Sequence, residues 1–152
     1  AASPGSQAAS DASPRELADA FRALLLARMH YTKDLTLALQ TYANDHDGQY
    51  PASLEDASDE IEQVASSSPL DPSQFEVLFK GSMAQLSNPS QAIVLRERST
   101  HPRRDGKPGF TRCYGFGDGH SEMRTSPDGN FDAWEQEHQP NLKPAPAGGA
   151  AP

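Results

Sequence analysis

The stretch Phe116-Gly117-Asp118-Gly119-His120-Ser121-Glu122 places an imidazole between two carboxylates at alternate positions. Residues two apart on a strand share a face, so Asp118, His120 and Glu122 could form an acid/base group on a hairpin. Any hairpin with a polar outer face shows the same alternation, and the architectural reading is preferred. A second cluster follows in Ser126-Pro127-Asp128-Gly129-Asn130-Phe131-Asp132. Asp128, Asn130 and Asp132 alternate as the oxygen ligands of a hard cation do, and Asp118 or Glu122 could approach from the hairpin; calcium is the ion this would suit. Asx turns and helix N-caps use the same residues, so a turn at Asp128-Gly129 and a helix start at Asn130 is the plainer account.

A third cluster packs Asn44, Asp45, His46, Asp47 and Gly48 ahead of Tyr50-Pro51. An EF-hand loop with Gly48 at its glycine position would need a bidentate Glu where Leu54 stands, and its first ligand would be Ala43. The pattern fails. Gly48 instead sits where a helix-terminating glycine supplies a left-handed turn, and Pro51 keeps the chain from resuming the helix at once. The five histidines form no paired or HExxH motif. No G-x-S-x-G elbow is present, and Gly115-x-Gly117-x-Gly119 lies in strands and a turn rather than before a helix. Catalysis is not expected, and no cofactor beyond the calcium alternative.

Composition narrows the partners. The 152 residues carry 21 acidic and 13 basic side chains, a net charge of −8. Such a surface repels phosphate backbones, which argues against nucleic acid. The one dense basic run, Arg103-Arg104-Asp105-Gly106-Lys107, reads as a solvated loop between prolines. Cys113 is the only cysteine, which rules out an internal disulfide and a cysteine zinc site. No apolar run approaches the roughly 20 residues needed to cross a bilayer. Residues 1–12 and 140–152 are rich in Ala, Pro, Gly and Ser and read as linker and tail around a domain at 13–139.

The elements that must position these clusters follow from periodicity. Ser13-Pro14-Arg15-Glu16 combines a capping serine, a proline suited to the first helical position and a glutamate that could complete a capping box. Leu17, Phe21, Leu24, Tyr31, Leu35, Leu39 and Tyr42 then recur at helical spacing, with Arg28 interrupting the stripe. This predicts a helix of about 30 residues, too long for the rest of the chain to cover, so its first turns should project or pack on a partner. Ser53 caps a short helix to about Val64. Strands are predicted at 75–80, 92–97, 112–117 and 120–125, with a loop at 99–109 and a two-residue turn at Asp118-Gly119. A last helix spans Phe131 to His138. The fold class is α+β: a long amphipathic helix on a three- or four-stranded antiparallel sheet, with short accessory helices.

Leu37, Ala38, Leu39, Tyr42, Ala43, Asp45, Asp47, Gly48 and Pro51 at the helix end, with Phe116, Asp118, Gly119, His120 and Glu122 in the hairpin, resemble a known pattern. They are similar to the soluble part of bacterial type IV pilin-like proteins, closest to type II secretion pseudopilins and relatives with a C-terminal DGH motif. The resemblance covers roughly residues 17–138. It implies a pilin-like fold, a structural role in the periplasm or cell envelope, and protein partners from a secretion or pilus-like assembly. In that family the first half of the helix crosses the membrane. Here any membrane contact is expected only through a segment outside this sequence. Some pseudopilins hold calcium in a C-terminal loop, which is why the 118–132 region is weighed as an ion- or ligand-binding alternative.

Overall fold

The computed structural model describes residues 13–64 and 70–142. The linker at 1–12 and residues 143–152 of the tail lie outside the described residues. Helix α1 runs Pro14–Asp45. Ser13 caps it, its Oγ accepting the Glu16 N–H at 3.1 Å, with Pro14 in the first turn. At the other end the His46 and Gly48 N–H groups both donate to the Ala43 carbonyl, at 3.0 and 2.6 Å. Asp47 (φ 57°) and Gly48 (φ 85°) both turn left-handed, so the expected stop spans two residues.

After Pro51 a 3₁₀ turn, Leu54–Ala57, leads into helix α2, Ser58–Val64. The Ser53 side chain makes no capping bond, which corrects the expected cap: the tighter turn intervenes before the α-helix starts. The strands are β1 (Phe75–Val77), β2 (Ile93–Glu97), β3 (His101–Pro102), β4 (Phe110–Phe116) and β5 (Ser121–Ser126). All pairings are antiparallel: β1 with β2, β2 and β3 with β4, β4 with β5. Because β2 and β3 both pair along β4, in the order Ile93↔Phe116, Arg96↔Tyr114, His101↔Thr111, β3 resumes the β2 ladder after an irregular stretch. The sheet has five strands in a four-row meander, and part of the expected 99–109 loop belongs to it. β1 is shorter than the predicted 75–80, although Phe79 is buried beyond its end. Helix α3, Asp132–Glu137, closes the order. Residues 139–142 do not leave the domain as a tail. Ser87 N–H donates to the Asn141 carbonyl and Asn141 N–H to Asn88 Oδ1, both at 2.8 Å, so the folded unit extends to Leu142.

Leu35, Ala38 and Leu39 of α1 pack with Phe75, Val94 and Leu95 on one side of the sheet. On the other, Phe131 and Trp134 of the C-terminal segment cover Ile93, Tyr114 and Phe116. With both faces covered, β2 reads as the continuous apolar run Ile93-Val94-Leu95 rather than an alternating one. α1 approaches β4 closely: a Cβ on Gly115 would lie 2.0 Å from Thr36 Oγ1. Ala18 and Phe21 are buried in the first turns, whereas Leu17 and Leu24, seven residues apart in register with buried Tyr31, are 43% and 45% exposed, so the cover there reaches only one flank of the stripe.

Arg28 is the exception within that stripe. It is 1% exposed and forms a two-pronged ion pair with Glu97 on β2, Nε to Oε2 at 2.9 Å and Nη2 to Oε1 at 2.7 Å. Its Nη1 donates to Thr111 Oγ1 at 3.0 Å, and the Cys113 N–H donates to Glu97 Oε1 at 2.7 Å. Each buried charge is thus matched in geometry, the condition under which such a pair is tolerated in low dielectric.

Removing one partner strands the other charge. Arg28→Met is therefore expected to lower the unfolding free energy in urea by about 3–5 kcal/mol, and Arg28→Met with Glu97→Leu by clearly less than Arg28→Met alone. Gly115→Ala should cost about 1–3 kcal/mol in the same titration, through the clash with Thr36.

Candidate functional site

The hairpin between β4 and β5 is set by one residue more than expected. Phe116 N–H donates to the His120 carbonyl at 2.9 Å and Gly119 N–H to the Phe116 carbonyl at 3.0 Å. The loop is therefore Gly117-Asp118-Gly119, a three-residue turn whose last member, Gly119, takes φ 95°. This corrects the two-residue turn at Asp118-Gly119. The extra residue also aims His120 back over its neighbours.

His120 is held on both ring nitrogens: Nδ1 meets Asp118 Oδ1, and Nε2 meets Glu122 Oε2 at 2.9 Å. Its ring stacks on Phe116, centroids 4.3 Å apart and 9° from parallel. Partial burial opposes the charged imidazole, but the hydrogen bonds to Glu122 and Asp118 and their charges together hold its pKa above the ordinary histidine value. Sequence alternation thus brought Asp118, His120 and Glu122 together as expected. As folded, both imidazole nitrogens are engaged, so the ring offers no lone pair to a substrate proton.

The hairpin loop docks on the end of α1. Gln40 Nε2 donates to the Gly117 carbonyl at 3.3 Å, and Tyr50 hydroxyl to the same oxygen at 3.4 Å. Burial and then the Asp118 charge push the Tyr50 phenol up to about 12, so it remains a donor throughout the ordinary pH range. The two stretches that carry the resemblance, the helix end and the hairpin, therefore touch. Within the first, Tyr42 packs against the core and stacks on His46 at 3.8 Å, while Pro51 is buried. Asp45 ends α1, and Asp45 and Asp47 are exposed.

The 126–132 loop is built from its own side chains. Asp128 Oδ1 accepts from Ser126 Oγ at 2.9 Å and from Asn130 N–H at 3.0 Å. These bonds, led by the Asn130 N–H, lower its pKa. Asn130 Oδ1 accepts the Asp132 N–H at 2.9 Å, an Asx turn as preferred from sequence, but the helix starts only at Asp132, after Phe131 and with no side-chain cap, which corrects the start expected at Asn130. Asp118 lies before Ser121 and Asp128 after Ser126, at opposite ends of β5. Six extended residues separate them by roughly 20 Å. The proposed set Asp118, Asp128, Asn130 and Asp132 is therefore not brought together on one ion.

Sequence reasoning missed the groups that fix the C-terminal helix over the sheet. Glu135 accepts from Arg96 Nη1 at 2.7 Å, Arg112 Nη1 at 3.3 Å and the Tyr114 hydroxyl at 2.5 Å. Trp134 stacks on His138, centroids 4.2 Å apart, and the Arg124 guanidinium lies 4.8 Å from the indole ring. Apart from the Trp134–His138 pair, one helical turn apart, no short-range motif marks such contacts, because their members are 10 to 39 residues apart in sequence. Arg28 alone left a trace, as a charge on an apolar stripe. Its neighbour Cys113 is buried, and that burial, with the Glu97 charge, pushes the thiol up to about 12.

A histidine with a raised folded pKa binds more protons folded than unfolded, so it stabilises the fold below its unfolded value and ceases to do so as pH rises through the folded one. The stability advantage of the native chain over His120→Gln should be fullest below about pH 6.5 and shrink above it, as read by urea titrations at a series of pH values. Calcium at millimolar concentration is expected to leave the Tm unchanged, given the separation of Asp118 from Asp128. Neither the family models, the curated proteins nor the solved structures compared with the chain gave a match.

Proposed function

We propose that this chain is a non-catalytic interaction domain, similar to the head of a pseudopilin, that serves a secretion or pilus-like assembly at the cell envelope. The observation that carries the reading is the open flank at the start of α1, beside the buried Ala18 and Phe21. Leu17 and Leu24 continue the stripe that buries Tyr31 and Leu35, yet they stand 43% and 45% exposed. Apolar side chains left open along one flank of a core stripe suit a second helix laid alongside. The docked helix end and hairpin support the same reading, since they brace the far end of α1 against β4 and leave the Leu17 and Leu24 flank as the part available to a neighbour. Membrane attachment, in this reading, comes from a segment outside this sequence.

Side-by-side assembly brings the α1 starts of neighbouring copies together, and Cys113 is too deeply buried to compete as a thiol. Leu17→Cys and Leu24→Cys variants, treated with a short bis-maleimide in cells making the full-length product, are expected to give adducts between copies. A Glu137→Cys control on α3 should stay monomeric. Monomer at positions 17 and 24 under the same conditions, or equal adducts at 137, would count against the proposal.

A further inference from the structure

A cleft of about 670 Å³ lies between the 3₁₀ turn with α2 on one side and the β1 edge on the other. That size falls within the range of ligand sites, which is roughly 300–1,000 Å³. Leu54, Ile61 and Phe75 reach it from the core, and Val77 lines it beside them.

One wall is a sheet edge with unused backbone groups. Leu78 N–H donates to the Val94 carbonyl and Arg98 N–H to the Gln74 carbonyl, both at 2.8 Å. In an antiparallel ladder this directs the main chain of alternate residues, 74, 76 and 78, toward β2, and that of Phe75 and Val77 the other way. The Phe75 N–H turns back to the Pro72 carbonyl. Among the described residues the Phe75 carbonyl and both main-chain groups of Val77 make no hydrogen bond. They present an acceptor, a donor and an acceptor to whatever enters alongside.

The charge of the cleft is acidic on balance, with Glu55, Glu62, Asp71 and Glu76 in its lining against Lys80 and Arg98. From Ala52 to Phe79 the sequence carries seven carboxylates and no lysine, arginine or histidine. Of the groups lining the cleft, Glu76 is taken up by Arg96 and Arg98, and Arg98 Nε also donates to the Ser73 carbonyl. Glu55 and Glu62 on the helical wall and Asp71 at the mouth remain, against Lys80 alone. Like charges gathered on one wall of a groove attract an oppositely charged occupant and repel an acidic one.

We propose that this cleft binds an extended basic segment of a partner protein, which adds as a strand to the β1 edge through Val77 and sets its Lys or Arg side chains against Glu55 and Glu62. The main chain supplies the pairing, and the charged wall selects which peptide pairs. This is independent of the role given above to the start of α1, which lies on a different element.

Binding of a fluorescein-labelled hexapeptide of alternating Lys and Val to the 152-residue chain, followed by anisotropy, tests it. Saturable binding is expected, with the Val77 amide among those perturbed in a nitrogen–proton correlation spectrum. Glu55→Lys with Glu62→Lys, both exposed positions outside the core, should weaken it by about tenfold or more at low salt. A peptide of the same sequence and charge with alternate backbone nitrogens methylated cannot add to an edge and should bind about tenfold more weakly or not at all. Equal binding by the methylated peptide would show charge attraction alone and overturn the proposal. So would unchanged affinity in the doubly substituted chain, an unshifted Val77 amide at saturation, or a sedimentation result in which β1 of a second copy fills the cleft.

Discussion

The paired charges of Arg28 and Glu97 are the constraint around which the two layers are arranged. A guanidinium on a helix stripe that otherwise buries apolar groups is tolerated only where a carboxylate meets both of its prongs and further donors satisfy that carboxylate. Glu97 at the end of β2 does this, and the Cys113 N–H and Thr111 of β4 complete the arrangement. One interaction thereby ties α1 to two strands, and it permits only one register of the helix over the sheet. Sliding α1 by a turn would leave both charges in the core without partners.

Around that tie the packing differs on the two faces. On the helix side, contact is close enough that β4 carries no side chain at Gly115, and Thr36 occupies the space. Thr32 and Thr36 return their hydroxyls to carbonyls one turn back, at 2.6 and 2.7 Å, so their polar atoms are satisfied within the helix even where Thr36 Oγ1 lies against Gly115. On the opposite face the short C-terminal helix is held by Trp134 against the apolar cluster and by Glu135, which gathers two arginines and a tyrosine hydroxyl. This second cover explains why β2 is apolar on both sides in a sheet whose other strands carry polar residues.

Much of the architecture was legible along the chain because it rests on local rules. The cap at Ser13, the stop at Gly48 and the helical spacing between them each involve residues within a turn of one another, and the structure reproduces all three. The Asx arrangement at Asp128 and the His120 clamp were legible for the same reason: their partners lie two residues away. Turn length was less so. Asp-Gly suggested a two-residue hairpin, but the helix side of the sheet decided otherwise, since Gly117 is needed in the loop to meet Gln40 and Tyr50. β3 was read as loop for a similar reason. His101 and Pro102 have no strand pattern of their own and pair only because β4 runs past them.

Sequence by itself determined the order of elements, their class and the acidic character of the 52–79 region, because periodicity, capping and charge are properties of neighbours. It could not determine which charges are buried, which apolar residues go uncovered, or that the hairpin rests on the helix end. Arg28 and Glu97 are 69 residues apart, and Asp118 and Asp128 only ten. The fold joined the first pair and separated the second, since strand direction, rather than distance along the chain, sets which side chains share a space.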